Sequence, residues 1–149
     1  MHSVVFAGFS SEALASRIRA AKSEFLVTAD HGLRGGKRIA LKEICNTALE
    51  HVKDKDLVKK VMVWERKYEG PESETPYDMH EKDVRFDILV DNQRPYCVPE
   101  QMDAEDNLFI LYTSGSTGMP KGLVHTTGGY ALYVSRLVSC VMQFFCVVF

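Results

Sequence analysis

The stretch that most constrains this chain is residues 113–122, TSGSTGMPKG, which hold four hydroxyls, three glycines and one lysine. An apolar run at residues 108–112 precedes the stretch, and Leu123 and Val124 follow it, so it lies between two predicted strands. Glycine lets backbone N–H groups turn toward an anion, the hydroxyls are neutral donors, and Lys121 supplies a positive charge. This combination predicts a loop that binds the phosphates of a polyphosphate ligand.

The spacing of this loop differs from that of the Walker phosphate loop, G-x-x-x-x-G-K-[ST], because Pro120 stands where the second glycine belongs. A Ser/Gly linker that binds nothing is the alternative interpretation, but linkers seldom lie between two apolar strands. The sequence therefore favours phosphate binding by a loop in which no helix begins. The candidate ligands are Thr113, Ser114, Gly115, Ser116, Thr117, Gly118 and Lys121.

The order of apolar segments predicts an α/β fold. The predicted strands of a parallel sheet are near residues 3–7, 25–28 and 61–64, and the predicted helices are near residues 10–22 and 40–53. The first strand, helix and second strand would form a βαβ unit, with both helices packed on the sheet. Strands near residues 108–113 and 122–125 are expected to form an antiparallel pair around the phosphate loop.

The remaining segments are less regular. Residues 66–83 are polar and predict a long loop, and residues 86–90 fit either a short helix or a strand. Residues from Tyr130 onward are expected to be helical. The apolar tail at residues 137–149 is shorter than a bilayer requires, which favours a helix buried by other protein over a membrane anchor.

A second cluster of glycines and cations follows the second predicted strand, at residues 29–38. Arg34 and Lys37 flank Gly35 and Gly36, at the strand end where open α/β sheets bind ligands. Residues 1–64 carry 11 basic and 7 acidic side chains, which favours an anionic ligand in this part of the chain. A surface loop kept soluble by its charge explains the residues equally well.

Composition excludes several classes of function. The net charge of −2 gives no reason to expect nucleic acid, and no histidine or cysteine spacing predicts a metal site. The four cysteines, Cys45, Cys97, Cys140 and Cys146, form no C-x-x-C pair and lie among apolar residues. This pattern predicts reduced thiols and a cytoplasmic protein, with the nucleus and the mitochondrion left open.

Three motifs together resemble AMP-forming acetyl-CoA synthetases, a branch of the adenylate-forming superfamily. They are HSVVFAGFS at residues 2–10, RGGK at 34–37 and DAEDNLFILYTSGSTGMPKGLVHTTGGY at 103–130. The resemblance implies that the chain is an incomplete part of the large N-terminal domain of such an enzyme. Residues 1–149 would then be a partial AMP-dependent synthetase domain, with residues 137–149 as a divergent hydrophobic tail.

The resemblance also implies an activity and a set of ligands. These enzymes join acetate and ATP into an acetyl-adenylate, release pyrophosphate, and pass the acetyl group to coenzyme A. By the match of motifs, Arg34, Gly35, Gly36 and Lys37 would bind coenzyme A. The residues of the phosphate loop would hold the β- and γ-phosphates of ATP with Mg²⁺.

The chain also departs from the family pattern. Residues 85–90 replace a tryptophan-rich segment, and the match ends near Arg136. The acid pocket, the adenine pocket and the domain with the catalytic lysine are missing, so we expect no catalytic residue here and no activity of the chain alone. Three alternatives remain: a truncated product that binds nucleotide or a full-length synthetase, a fragment specific for propionate or another short acid, and a fragment that does not fold.

Overall fold

The computed structural model describes residues 1–66, 79–113 and 120–146. In chain order its elements are β1 His2–Ser3, α1 Ser11–Ala21, β2 Phe25–Ala29, β3 Gly32–Arg34, β4 Lys37–Ile39, α2 Leu41–His51, β5 Lys60–Trp64, β6 Asp83–Arg85, α3 Phe86–Asp91, β7 Asn107–Thr113, β8 Lys121–Thr126 and α4 Thr127–Cys146. The chain divides into two compact units, a central unit of residues 5–96 and a terminal unit of residues 1–4 and 97–149. The predicted α/β class is confirmed.

The central unit is built on a three-stranded parallel sheet in the order β2-β5-β6. The strand β2, the helix α2 and the strand β5 form a βαβ unit. The βαβ unit predicted from the first strand, α1 and β2 does not form, because β1 pairs with β7. Side chains alternate along β5, so Val61 and Val63 are buried while Lys60 and Trp64 are exposed. The buried core joins these valines to α1 and α2, and its members are Ala15, Ile18, Cys45, Ala48, Val52, Val58, Val61 and Val63.

The two longer helices of the central unit, α1 and α2, have free backbone groups at their ends that neighbouring groups satisfy. The Ser10 side chain accepts from the Ala13 N–H at 3.2 Å and caps α1, and Lys22 ends it in the left-handed conformation. The Lys55 ammonium donates to the carbonyls of Leu49 and Glu50 and covers the C-terminus of α2. The two predicted helices are confirmed.

The prediction for the first strand is wrong. Only His2 and Ser3 form a strand, β1, and it pairs in parallel with Phe109 and Ile110 of β7, not with β2. The chain turns at residues 6–9, where Gly8 has a φ of +89° and the Phe9 N–H donates to the Phe6 carbonyl. Val4 and Phe6 remain 59% and 75% exposed. An apolar run favours a strand but does not select its partner, because pairing depends on distant residues.

The terminal unit contains a sheet in the order β1-β7-β8, and β7 and β8 form the predicted antiparallel pair. Aromatic rings lie in a row across it, because His2, Phe109 and His125 are paired residues on neighbouring strands. The ring of Tyr130, in α4, packs edge-on against that of Phe109, with 4.9 Å between the ring centroids, so this helix contacts the sheet. Among the described residues, no helix is long and apolar enough to span a membrane.

A buried ion pair joins α2 to β6. The Lys42 ammonium lies 2.8 Å from Asp83 Oδ2, and both side chains are 0% exposed. The same ammonium donates to Asn46 Oδ1, and the His80 N–H donates to Asp83 Oδ2 at 2.7 Å. These hydrogen bonds offset part of the cost of burying the pair, although Asp83 Oδ1 has no hydrogen-bond partner among the described residues. The sequence analysis did not identify this contact, since lysine normally lies in solvent.

Cys45 lies one helical turn from Lys42 and belongs to the hydrophobic core of the central unit. Burial raises the pKa of its thiol to about 11, against a smaller lowering by the Lys42 charge. The thiol therefore stays protonated at neutral pH. The nucleophilic form of cysteine is the thiolate, so Cys45 is not in its reactive form there. Of the cysteines whose side chains the structure describes, Cys45 is buried and free and Cys97 is exposed and free.

We expect Lys42→Met to destabilise the chain by about 3–5 kcal/mol, because it leaves Asp83 as an uncompensated buried charge. The matched control is Lys59→Met, which breaks the Lys59–Glu24 pair of 2.7 Å between side chains that are 58% and 49% exposed. Such an exposed pair contributes about 0–1 kcal/mol. Urea unfolding followed by far-UV circular dichroism measures the free energy of unfolding of both variants. Equal decreases would show that the buried pair stabilises the chain no more than the exposed pair does.

Candidate nucleotide-phosphate sites

The residues predicted to bind coenzyme A form the tip of a β-hairpin. The strands β3 and β4 pair Gly32 with Ile39, Leu33 with Arg38 and Arg34 with Lys37, so the connection is two residues long. Gly35 and Gly36 have φ of +57° and +75°. Positive φ at both central residues is typical of a type I′ turn, which favours glycine at these positions. The sequence analysis described this segment only as a loop.

Arg34 and Lys37 lie directly opposite each other on one face of the hairpin tip. Both side chains are exposed, and no carboxylate of the described residues lies within 4.0 Å of either. Like charges directly opposite each other on neighbouring strands destabilise the pairing by about 0.2–1 kcal/mol. The tip therefore presents two positive charges that the described residues leave uncompensated.

Arg38 belongs to the other face of the hairpin, because neighbouring residues of a strand point to opposite sides. Its Nη2 lies 3.3 Å from Nδ1 of the buried His31. Of the three cations that the sequence places here, two therefore share a face and the third faces the base of the hairpin. This division cannot be derived from composition.

The space around the turn is open. A Cβ built on Gly35 or Gly36 meets no described atom within 4 Å, so another molecule can approach the backbone there. On the face of Arg34, a Cβ at Gly8 would lie 3.9 Å from Arg34 Nη1 and 3.5 Å from Ile39 Cδ1. The turn at residues 6–9 therefore borders the hairpin and leaves its tip accessible.

The second candidate site lies at the ends of β7 and β8. Thr113 and Lys121 are paired residues, and the Thr113 hydroxyl donates to the Lys121 carbonyl at 3.5 Å. Both side chains are exposed. A Cβ on Gly122 would lie 3.1 Å from Cε1 of Tyr112, so glycine permits the close packing of this ring at the loop's base. Lys121 is the first residue of β8, one residue before the predicted strand at 122–125, whereas a Walker lysine begins a helix.

Five of the predicted phosphate ligands lie outside the described residues. They are Ser114, Gly115, Ser116, Thr117 and Gly118. Their assignment, with that of Thr113 and Lys121, stays a prediction. Among the residues that the structure describes, no three histidine, cysteine, aspartate or glutamate side chains are grouped so that they could hold a metal ion.

Comparison with known proteins assigns these motifs to a family. A model described as AMP-binding enzyme matches residues 1–146 of the chain. The chain belongs to the AMP-binding enzyme family. The matched segment contains both the hairpin and the β7–β8 pair, so both candidate sites fall within the region that matches this family.

Several individual proteins that resemble the chain share one name. Proteins named acetyl-coenzyme A synthetase from Marinobacter nauticus, Shewanella sediminis and Brucella canis are 52%, 48% and 52% identical to the chain over 135, 138 and 136 residues. Each alignment covers 91% of this chain and 20% of the relative. The chain thus spans about a fifth of the length of these curated relatives, and the predicted resemblance to acetyl-CoA synthetases is confirmed.

The geometry of the hairpin turn can be tested by substitution. We expect Gly36→Val to lower the free energy of local hairpin opening by about 1–2 kcal/mol, because a β-branched residue is strained at positive φ. Gly35→Asn is the control and should change it by less than about 0.5 kcal/mol, since asparagine tolerates this conformation. Amide hydrogen exchange at residues 32–39 measures both, and equal protection in the two variants would contradict the type I′ turn.

Proposed function

We propose that this chain is the nucleotide-phosphate-binding part of an AMP-forming acetate–CoA ligase. In this reaction an acetate oxygen attacks the α-phosphorus of ATP and pyrophosphate leaves. The thiol of coenzyme A then attacks the acetyl carbonyl and AMP leaves. The similarity to proteins named acetyl-coenzyme A synthetase over 91% of the chain supports this proposal.

The observation that carries the proposal is the Arg34–Lys37 pair at the hairpin tip. Two opposed cations that have no carboxylate partner in the described part of the chain weaken a hairpin, so folding alone does not favour them. A bound phosphate reverses the sign of this interaction, because an arginine fork and a lysine ammonium both donate charge-assisted hydrogen bonds to phosphate oxygens. The ligand that fits the pair in this reaction is coenzyme A, through the phosphates of its nucleotide.

The glycines of the turn complete this candidate site. Gly35 and Gly36 leave the backbone N–H groups of the tip without a side chain above them. An oxygen of a phosphate can then reach the backbone as well as the two cations. We assign Arg34, Gly35, Gly36 and Lys37 together to coenzyme A.

The proposed ligand of the residues between β7 and β8 is ATP. We assign Thr113, Lys121 and residues 114–118 to the β- and γ-phosphates of ATP, where Mg²⁺ would neutralise part of the phosphate charge. Lys121 supplies a charge beside the departing pyrophosphate, and such preorganised charge lowers the barrier to its departure. The acetate is already ionised, so its attack needs no general base. Catalytic residues in the strict sense are not assigned to this chain.

The remaining expectations follow from the same proposal. The ligands are acetate, ATP and coenzyme A, and association with a full-length synthetase is the protein contact that we propose. A cytoplasmic location stays a prediction from the cysteine pattern.

We expect Arg34→Ala to lower the affinity for coenzyme A by about 10- to 150-fold. The substitution removes a contact of about 1.5–3 kcal/mol, and each tenfold change in affinity corresponds to about 1.4 kcal/mol. The test protein is the Marinobacter nauticus synthetase in which the segment that this chain matches is replaced by the chain's own residues. The KM for coenzyme A in thioester formation should rise. Acetate-dependent ATP–pyrophosphate exchange should be unchanged, because it needs no coenzyme A.

Two further variants make this experiment decisive. Lys121→Ala should reduce the exchange reaction, and Lys53→Ala, an exposed cation at the end of α2, should change neither step. A solvated Arg34 would leave both steps unchanged, and an Arg34 that only supports the fold would impair both together. Either result would contradict the assignment of the hairpin to coenzyme A.

A further inference from the structure

The base of the hairpin is held by the carboxylate of Asp30, which directly follows β2 and whose side chain is 12% exposed. Asp30 Oδ1 accepts from the His31 N–H at 2.6 Å and from the Arg66 N–H at 3.1 Å. The Asp30 carbonyl accepts from the Lys42 N–H at 3.1 Å, and the Asp30 N–H donates to the Trp64 carbonyl at 3.1 Å. Asp30 therefore connects the end of β2, the end of β5 and the start of α2 at the point where the hairpin leaves the sheet.

His31 extends this connection into the hairpin. Its Nδ1 lies 2.9 Å from Asp30 Oδ2, and the side chains of His31 and Asp30 are only 6% and 12% exposed. A carboxylate has only acceptors to offer, so a hydrogen bond at this distance requires the proton on Nδ1. Nδ1 then has no lone pair for Arg38, whose Nη2 lies 3.3 Å away, and the ring is oriented by Asp30.

The location of these contacts separates them from the ligand face. His31 immediately precedes Gly32, where a Cβ would lie only 3.2 Å from Leu41 Cδ1, so the first hairpin arm passes close to α2. Arg38, on the returning arm, lies against the same imidazole. The contacts of His31 with Asp30 and of Gly32 with α2 thus lie at the base of the hairpin, while Arg34 and Lys37 at the tip stay exposed.

We propose that Asp30 and His31 are positioning residues that set the affinity of the Arg34–Lys37 tip for the phosphates of coenzyme A. The inference rests on the proposed function, because it takes coenzyme A as the ligand of the tip. A hairpin that bends at its base moves both cations together, and two charges that must meet one ligand tolerate little displacement. The His31–Asp30 hydrogen bond restricts that bending.

The test compares two substitutions of His31. His31→Asn keeps an amide N–H at the place of Nδ1 and can still donate to Asp30, whereas His31→Leu keeps the apolar bulk and removes the donor. In the chimeric synthetase, we expect His31→Leu to raise the KM for coenzyme A about tenfold, inside the hundredfold that a 1 Å misplacement can cost. The exchange reaction should be unchanged, and His31→Asn should stay within about twofold of the parent.

Amide hydrogen exchange in the 149-residue chain provides a readout that needs no ligand. His31→Leu should speed exchange at residues 32–39 but not in α1, and His31→Asn should restore the parent rates. Unchanged rates at residues 32–39 in His31→Leu would overturn the inference. Loss of both half-reactions with a lower unfolding midpoint, not rescued by His31→Asn, would show a merely structural role and would also overturn it.

The Arg34→Ala variant separates failure of this inference from failure of the proposed function. If Arg34→Ala raises the KM for coenzyme A and His31→Leu does not, the positioning role is wrong and the coenzyme A site stands. If His31→Leu opens the hairpin but Arg34→Ala leaves the KM unchanged, the assignment to coenzyme A is wrong. The inference then falls with it.

Discussion

The buried ion pair between Lys42 and Asp83 is the contact on which the arrangement of the central unit depends. Its two charges come from the first turn of α2 and the first residue of β6, so it joins a helix to the edge strand of the sheet. The backbone N–H of Lys42 also donates to the Asp30 carbonyl at the base of the hairpin. One residue thus connects the sheet, the helix and the candidate site, and the loss of either ion would leave the other charge buried and alone.

The hairpin shows opposite physical chemistry at its two ends. At the base, the partly exposed Asp30 carboxylate lies against the buried His31 imidazole and accepts hydrogen bonds from neighbouring backbone N–H groups. At the tip, two exposed cations oppose each other and the described residues provide no counter-charge. A rigid base and an uncompensated tip suit a site for an anion, because little ordering is left to be lost on binding.

Local patterns predicted much of the fold. The 3.6-residue periodicity located α1 and α2, and the apolar runs located β2, β5, β7 and β8. The expected antiparallel pairing of the last two strands is confirmed. The partner of β1 was predicted wrongly, because apolar character does not specify which strand lies alongside. The short strand β6 was missed, since three residues give too little alternation to detect.

The candidate sites were predictable in part. Glycines between cations and hydroxyls between strands indicated anion binding, since those residue types are what phosphate needs. The separation of Arg38 from Arg34 and Lys37 depends on strand register, which the turn conformation fixes. The Asp30–His31 pair and the Lys42–Asp83 pair depend on contacts between distant segments, and a charged residue in a sequence gives no sign that it is buried.

The most direct test of the central claim is a titration of the isotopically labelled chain with coenzyme A, followed at each backbone amide by NMR. If the hairpin tip binds the nucleotide phosphates, the amides of Gly35 and Gly36 shift saturably. Those shifts should disappear in the Arg34→Ala/Lys37→Ala double variant and weaken with added salt, because the contact is between charges. Saturable binding that leaves the amides of residues 34–37 unshifted, or that is equally strong in the double variant, would contradict the claim.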